Sequence, residues 1–248
     1  MIQMFREQKL TLIYLASTLF AITLATQFGS RLDIAPIVLL GVISPMLLAL
    51  GFSFYESRWQ GVKAFLSHPE GFNFNLLASA CALLLPFTLM ILSIGLNRGE
   101  WSLPNFSIML GKLPILLILM TGEEYGWRRY AFARLSKSNS FMMSALLVAV
   151  VWVFWHYPGY LIGMGTPEKM SFWLFALMVI PASILIAFLY RWTKNIYLVV
   201  LAHVSSNMAF NTLQFLPEVT GDSTAFIIYT GILWLLALPL ILNKKLWS

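Results

Sequence analysis

Eight apolar runs, at 10–28, 34–54, 75–96, 113–134, 143–163, 171–190, 196–216 and 224–242, constrain this chain more than any motif does. Each is long enough to cross a hydrocarbon layer about 30 Å thick. Little lies between them. Of 248 residues, 59% are hydrophobic and only 10% charged, with a mean hydropathy of +0.80. A soluble domain of this size carries about a quarter charged residues. So much apolar surface cannot be hidden from water by folding alone. Short alternating segments, the signature of a β-barrel, are missing. The sequence therefore predicts an all-α polytopic membrane protein, with about eight transmembrane helices around a polar intramembrane cavity. With no linker, low-complexity tract or internal repeat, residues 1–248 read as one integral membrane domain.

The N-terminal stretch has a basic start and an apolar run, as signal peptides do. The run is long for one, and no small-x-small cleavage site comes after it, so it is read as a retained first span. The longest polar connection, 55–75, contains Ser67-His68-Pro69-Glu70-Gly71, a loop signature in which His68 is expected to be solvated. One cysteine, Cys81, sits in an apolar run and says nothing about redox compartment.

The net charge of +6 does not mark a nucleic-acid binder, because the positives are scattered between apolar runs. They sort instead by side. With a cytoplasmic N-terminus the inner face receives Arg6, Lys9, Arg58, Lys63, Arg128, Arg129, Arg134, Lys137, Arg191, Lys194, Lys244 and Lys245. The outer face receives Arg31, Arg98, Lys112 and Lys169. That split predicts both termini inside, and the short loops point to a prokaryotic plasma membrane.

Against this frame the polar residues inside the spans stand out. Gly122-Glu123-Glu124-Tyr125-Gly126-Trp127-Arg128-Arg129 directly follows an apolar run. Measured from Lys112, the two glutamates lie roughly 15–18 Å into the fourth span, near mid-membrane. An ionised group there costs about 2.5–3.5 kcal/mol or more. Glu124 and Arg128, spaced i,i+4, read as a structural ion pair. Glu123 lies about 100° around the helix from Glu124 and is left without that explanation. Two of the three histidines also fall inside spans: His156 in Trp152-Val-Phe-Trp-His, and His203, one turn before Asn207. All of these can meet in one layer, and Pro158-Gly159 is expected to break the fifth helix and open it to water. Ser205 and Ser206 are placed on faces turned away from His203 and Asn207, in helix packing.

A carboxylate and a neutral imidazole beside one water can make a nucleophile. A second histidine and an asparagine can donate to a developing oxyanion. Those are the parts for hydrolysing an amide. A Zn²⁺ site built from Glu123, His156 and His203 is the competing chemistry. The metal-free form is favoured because no His-Glu-x-x-His is present.

Glu123-Glu124-x-x-x-Arg128, then an aromatic-x-x-x-His156, then His203-x-x-x-Asn207 resembles the CPBP family of intramembrane proteases. These are the CAAX prenyl endopeptidase and abortive-infection type. The resemblance implies that Glu123 and His156 activate water, that His203 and Asn207 form the oxyanion site, and that Glu124 and Arg128 shape it. It implies a peptide or protein substrate with a hydrophobic or prenylated segment, met at the lipid bilayer. Trp152 stands where phenylalanine is common and is expected to affect substrate fit more than chemistry. Gly126 is expected to permit a close approach. The alternative is a non-catalytic immunity, scaffold or transporter-like protein using the same polar layer for binding.

Overall fold

A computed structural model of the chain describes residues 2–67, 75–167 and 169–248; His68 lies outside the described residues. The elements among them are helical throughout: α1 (Ile2–Leu32), α2 (Ala35–Val42), α3 (Ser44–Leu66), α4 (Leu76–Arg98), α5 (Phe106–Glu124), a π-helical segment (Tyr125–Phe132), α6 (Ala133–Leu135), α7 (Phe141–Leu161), α8 (Phe172–Thr193), α9 (Ile196–Thr212), α10 (Pro217–Thr220) and α11 (Thr224–Leu242). Seven are long and apolar enough to span a bilayer, α5 through α6 counting as one, and the bent pair α2–α3 makes an eighth. The protein is an integral membrane protein.

Local chemistry sets many of the helix starts. Asn75, Asn105 and Asn195 accept backbone N–H groups of the first turn through Oδ1, and Ser140 and Ser171 do so through Oγ. These side chains satisfy donors that no intrahelical carbonyl can reach. Large apolar side chains such as Phe20, Leu76, Leu84 and Leu235 point outward and are exposed. In a membrane protein such a surface faces lipid. α9 is the most enclosed span, packed against α4, α5 and α8.

Polar contacts gather at the two ends of the bundle. At one end Lys137 pairs with Glu7 and Arg134 with Glu56, while Arg129 donates to the carbonyls of Ala64, Phe65 and Ser67. At the other, Asn97 donates to Asp222 and Lys112 to Asn211.

Three expectations need correcting. The run 34–54 is not one straight helix but bends by 57° between α2 and α3, with Pro45 in the first turn of α3. The connection expected from 55 is helical as far as Leu66, interrupted only at Ser57 and Arg58, the latter at φ 53°. And α7 does not break at Pro158: it runs to Leu161, with Pro158 inside. Neighbouring helices and ordered turns let membrane helices carry such a proline.

The α2–α3 elbow matters because of the residues it touches. A Cβ on Gly122 would sit 2.8 Å from Ile43 Cγ2, and one on Gly126 would run into Pro45 Cβ. Gly122-x-x-x-Gly126 is thus a small-residue face on which the elbow rests, and it brackets both glutamates. Tyr14 donates its hydroxyl to the Pro45 carbonyl and closes the contact from α1. Gly126→Ala is expected to lower stability by about 1–3 kcal/mol through overpacking. Unfolding in detergent checks this beside Gly111→Ala, where nothing lies within 4 Å of the added methyl and no loss is expected.

Candidate active site

The π-helical segment starts one residue after Glu124 and carries Arg128. Wider turns of this kind rotate the side chains beyond them and occur often at functional sites. Glu123 and Glu124 are 3% and 0% exposed and Arg128 is 0% exposed, so none of the three is solvated by bulk water. Their stability must come from one another and from polar neighbours.

Glu124 provides it. Its Oε1 accepts from Arg128 Nη1 at 3.0 Å and from His203 Nδ1 at 2.7 Å. Arg128 also donates through Nη2 to Ser183 Oγ on α8 at 3.1 Å. The guanidinium lies over the Trp152 ring, 4.5 Å from its centroid, a cation–π contact in a desolvated place. The expected i,i+4 pair is present, and it extends into a network linking α5, α7, α8 and α9.

Glu123 points elsewhere. Its Oε2 accepts from Trp152 Nε1 at 3.0 Å. His156 Nδ1 meets the Trp152 carbonyl at 2.7 Å. A carbonyl only accepts, so Nδ1 carries the proton and Nε2 is left as the basic atom. Trp152 therefore holds Glu123 by its indole and His156 by its backbone. Its ring also meets His203, with centroids 5.3 Å apart. The tryptophan does more than shape a pocket: it is bonded to the carboxylate itself, which phenylalanine could not do.

Asn207 donates to the Met120 thioether at 3.1 Å and to the His203 carbonyl at 3.2 Å. A thioether is a weak acceptor, so a better one can displace it. Asn211, one turn on, donates to the Asn207 carbonyl.

One cavity of about 400 Å³ is lined by Glu123, Trp152, His156, His203 and Asn207 together. It extends to residues 165–167 on the α7–α8 connection and to Leu216 and Glu218 beyond α9. Glu124 and Arg128 do not line it; they stand behind His203 and Trp152. The residues expected to act on substrate thus share a wall, and the two expected to support them are in the packing. Ser206 departs from expectation: it lies on the cavity wall and not on a face turned away. Among the described residues no group of three or more His, Cys, Asp or Glu is disposed to hold a metal ion.

Three participants escaped the sequence reading: Trp152 as a donor, Ser183 and Ser206. Ser183 had a weak signal, as a hydroxyl inside an otherwise apolar run. Trp152 had only its position one turn before His156.

A buried carboxylate, a buried and a half-buried imidazole and an asparagine on one cavity inside a helical membrane bundle define an intramembrane site of polar chemistry. Comparison with known proteins agrees with the resemblance carried by the motifs. Residues 105–209 match the family described as Rce1-like, type II CAAX prenyl endopeptidase. The chain is also 31% identical over 151 residues to CAAX prenyl protease 2 of Methanococcus maripaludis. That alignment takes in 57% of this chain and 54% of the relative, so the chain spans about half the length of the curated relative it matches. All three motifs lie inside the matched segment, and the likeness to the CAAX endopeptidase-type family is borne out.

The network yields a stability prediction. Glu124→Gln removes the anion between Arg128 and His203 and leaves a buried guanidinium without its counter-charge. Breaking a buried pair this way is expected to cost about 3–5 kcal/mol. Unfolding of the purified protein in detergent, compared with Glu123→Gln, measures it; the Glu123 change should cost clearly less.

Proposed function

We propose that the chain is an intramembrane endopeptidase that hydrolyses a peptide bond of a substrate carrying a hydrophobic, in some cases prenylated, segment. The observation that carries this reading is the convergence of Glu123, His156, His203 and Asn207 on one cavity among membrane-spanning helices. The likeness to a protein named CAAX prenyl protease 2 supports the reaction class.

In the proposed cycle a water sits between the free oxygen of Glu123 and His156 Nε2. These groups take its proton as its oxygen attacks the scissile carbonyl carbon. The carbonyl oxygen becomes an oxyanion and accepts hydrogen bonds from His203 and from the Asn207 amide, which leaves its thioether partner. The abstracted proton then passes to the departing amine as the C–N bond breaks. His203 can donate to the oxyanion through Nε2 while Nδ1–H stays on Glu124. In that form Glu123, Glu124, Arg128 and His203 carry charges that sum to zero, the least costly state for an apolar interior. The cycle is proposed without a metal ion.

The test is a cleavage assay in detergent on peptides with hydrophobic tails. Wild type should cleave, and Glu123→Ala should lose about 10²–10⁴-fold. Activity should survive a strong chelator; loss that added Zn²⁺ restores would replace the metal-free scheme with a zinc one. Cleavage by Glu123→Ala at the wild-type rate would leave a non-catalytic binding role as the better reading.

We also infer that both termini face the cytoplasm of a prokaryotic cell. The lysine and arginine split supports this, as does the gathering of Arg129, Arg134 and Lys137 with residues of α1 and α3 at one end of the bundle. The rim of the cavity at 165–167 and Glu218 then faces away from the cytoplasm, and substrate enters there or sideways from lipid. In a Cys81→Ser background, Val219→Cys should react with an impermeant maleimide on intact cells. Ser136→Cys should react only after lysis, and the opposite pattern would reverse the orientation.

A further inference from the structure

The cavity holds a second carboxylate that the proposed cycle does not use. Glu218 follows Pro217 in the first turn of α10 and lines the same space as Glu123. Its Oε2 is shielded from solvent and has no hydrogen-bond partner among the described residues. The Thr166 hydroxyl, on the α7–α8 connection, lines the same cavity and is equally shielded and unpartnered. Both oxygens line the cavity, as does the equally unpartnered Trp155 Nε1, and leaving a buried acceptor unmade costs more than an ordinary hydrogen bond gains.

Among the described residues none supplies their partner. No lysine or arginine is among the described residues that line the cavity. Lys112 is exposed and donates to Asn211. Arg128 is held behind the wall by Glu124 and Ser183 through its two Nη atoms, and its Nε has no partner among the described residues. The formal charges on the lining carboxylates are therefore all negative, at Glu123 and at Glu218, with apolar side chains such as Met120, Phe175 and Phe210 also on the wall.

We propose that Glu218 and Thr166 form a subsite for a basic side chain of the bound peptide, a lysine or arginine lying beside its hydrophobic stretch. An ammonium or guanidinium has donors for both oxygens and the charge that Glu218 requires. An acidic side chain at the same place meets a carboxylate in a poorly solvated setting and is rejected. The subsite rests on the endopeptidase reading only in that its occupant is a peptide.

The experiment measures binding and cleavage separately on the purified full chain in detergent. Fluorescent peptides with one apolar segment carry lysine, norleucine or glutamate at successive positions outside it. At one position wild type should bind the lysine peptide about tenfold tighter than its norleucine twin, the size of one desolvated charge-assisted hydrogen bond. Glu218→Gln should bring that ratio close to one while leaving norleucine binding unchanged, which also reports an intact fold. Glu218→Lys should turn the preference toward the glutamate peptide. A wild type with no lysine preference, whether from equal binding or from none, overturns the subsite, and so does a preference that Glu218→Gln leaves intact. A wild type that binds with this preference and cleaves none of the peptides overturns the endopeptidase reading and leaves the subsite standing.

Discussion

The buried charges behind the cavity wall meet at one oxygen, Oε1 of Glu124, which Arg128 and His203 share. Taking a carboxylate and a guanidinium out of water costs several kcal/mol each, and a membrane interior offers no solvent to reduce that cost. Further groups support the pair, Ser183 from α8, the Trp152 face from α7 and His203 from α9, while Glu124 Oε2 and Arg128 Nε stay without a partner among the described residues. Each comes from a different helix. Burial of the charges thus fixes the relative placement of four helices, and the same requirement holds His203 in one orientation with one nitrogen bound.

Backbone shape makes this meeting possible. Glu123 and Glu124 belong to the last turn of α5, while Arg128 already belongs to the π-helical segment. A plain α-helix would keep all side chains on the 3.6-residue period; the wider turns shift the residues after Glu124 around the axis. The elbow between α2 and α3 then presses on Gly122 and Gly126, on either side of the glutamates. A side chain at either glycine would push the elbow away, so the site helix is located by close packing as well as by charge. Tyr14, fully buried, fastens the elbow from α1.

Much of this was legible in the sequence. Spans announce themselves by apolar length, and ionisable residues within them are conspicuous because the background is so apolar. For that reason Glu123, Glu124, Arg128, His156 and His203 could be picked out one by one, and Asn207 by its place one turn after His203. The features that stayed hidden were neutral. Trp152 is one aromatic among many, and its N–H counts only because Glu123 lies opposite. Ser206 was misplaced by assuming that polar residues at i and i+4 define the cavity face, whereas the wall is wide enough to take the i+3 position too. The α2–α3 bend and the α7 continuity through Pro158 went opposite ways although both carry a proline: Pro45 stands in the first turn of α3, at the bend, and Pro158 inside α7, which runs on to Leu161. Sequence position alone does not reveal that.

The arrangement of hydrogen bonds divides the histidines by role. Both are tied through Nδ1, but to different acceptors: His156 to a neutral carbonyl, His203 to a carboxylate. A carbonyl fixes the tautomer without favouring a second proton, which leaves Nε2 of His156 basic. The Glu124 carboxylate likewise fixes the His203 ring through Nδ1 and leaves its Nε2 unbonded to that partner. In the proposed cycle one imidazole receives a proton and the other gives a hydrogen bond, although the two residue types are identical. The buried pair behind the wall, which never touches the cavity, is what makes the difference.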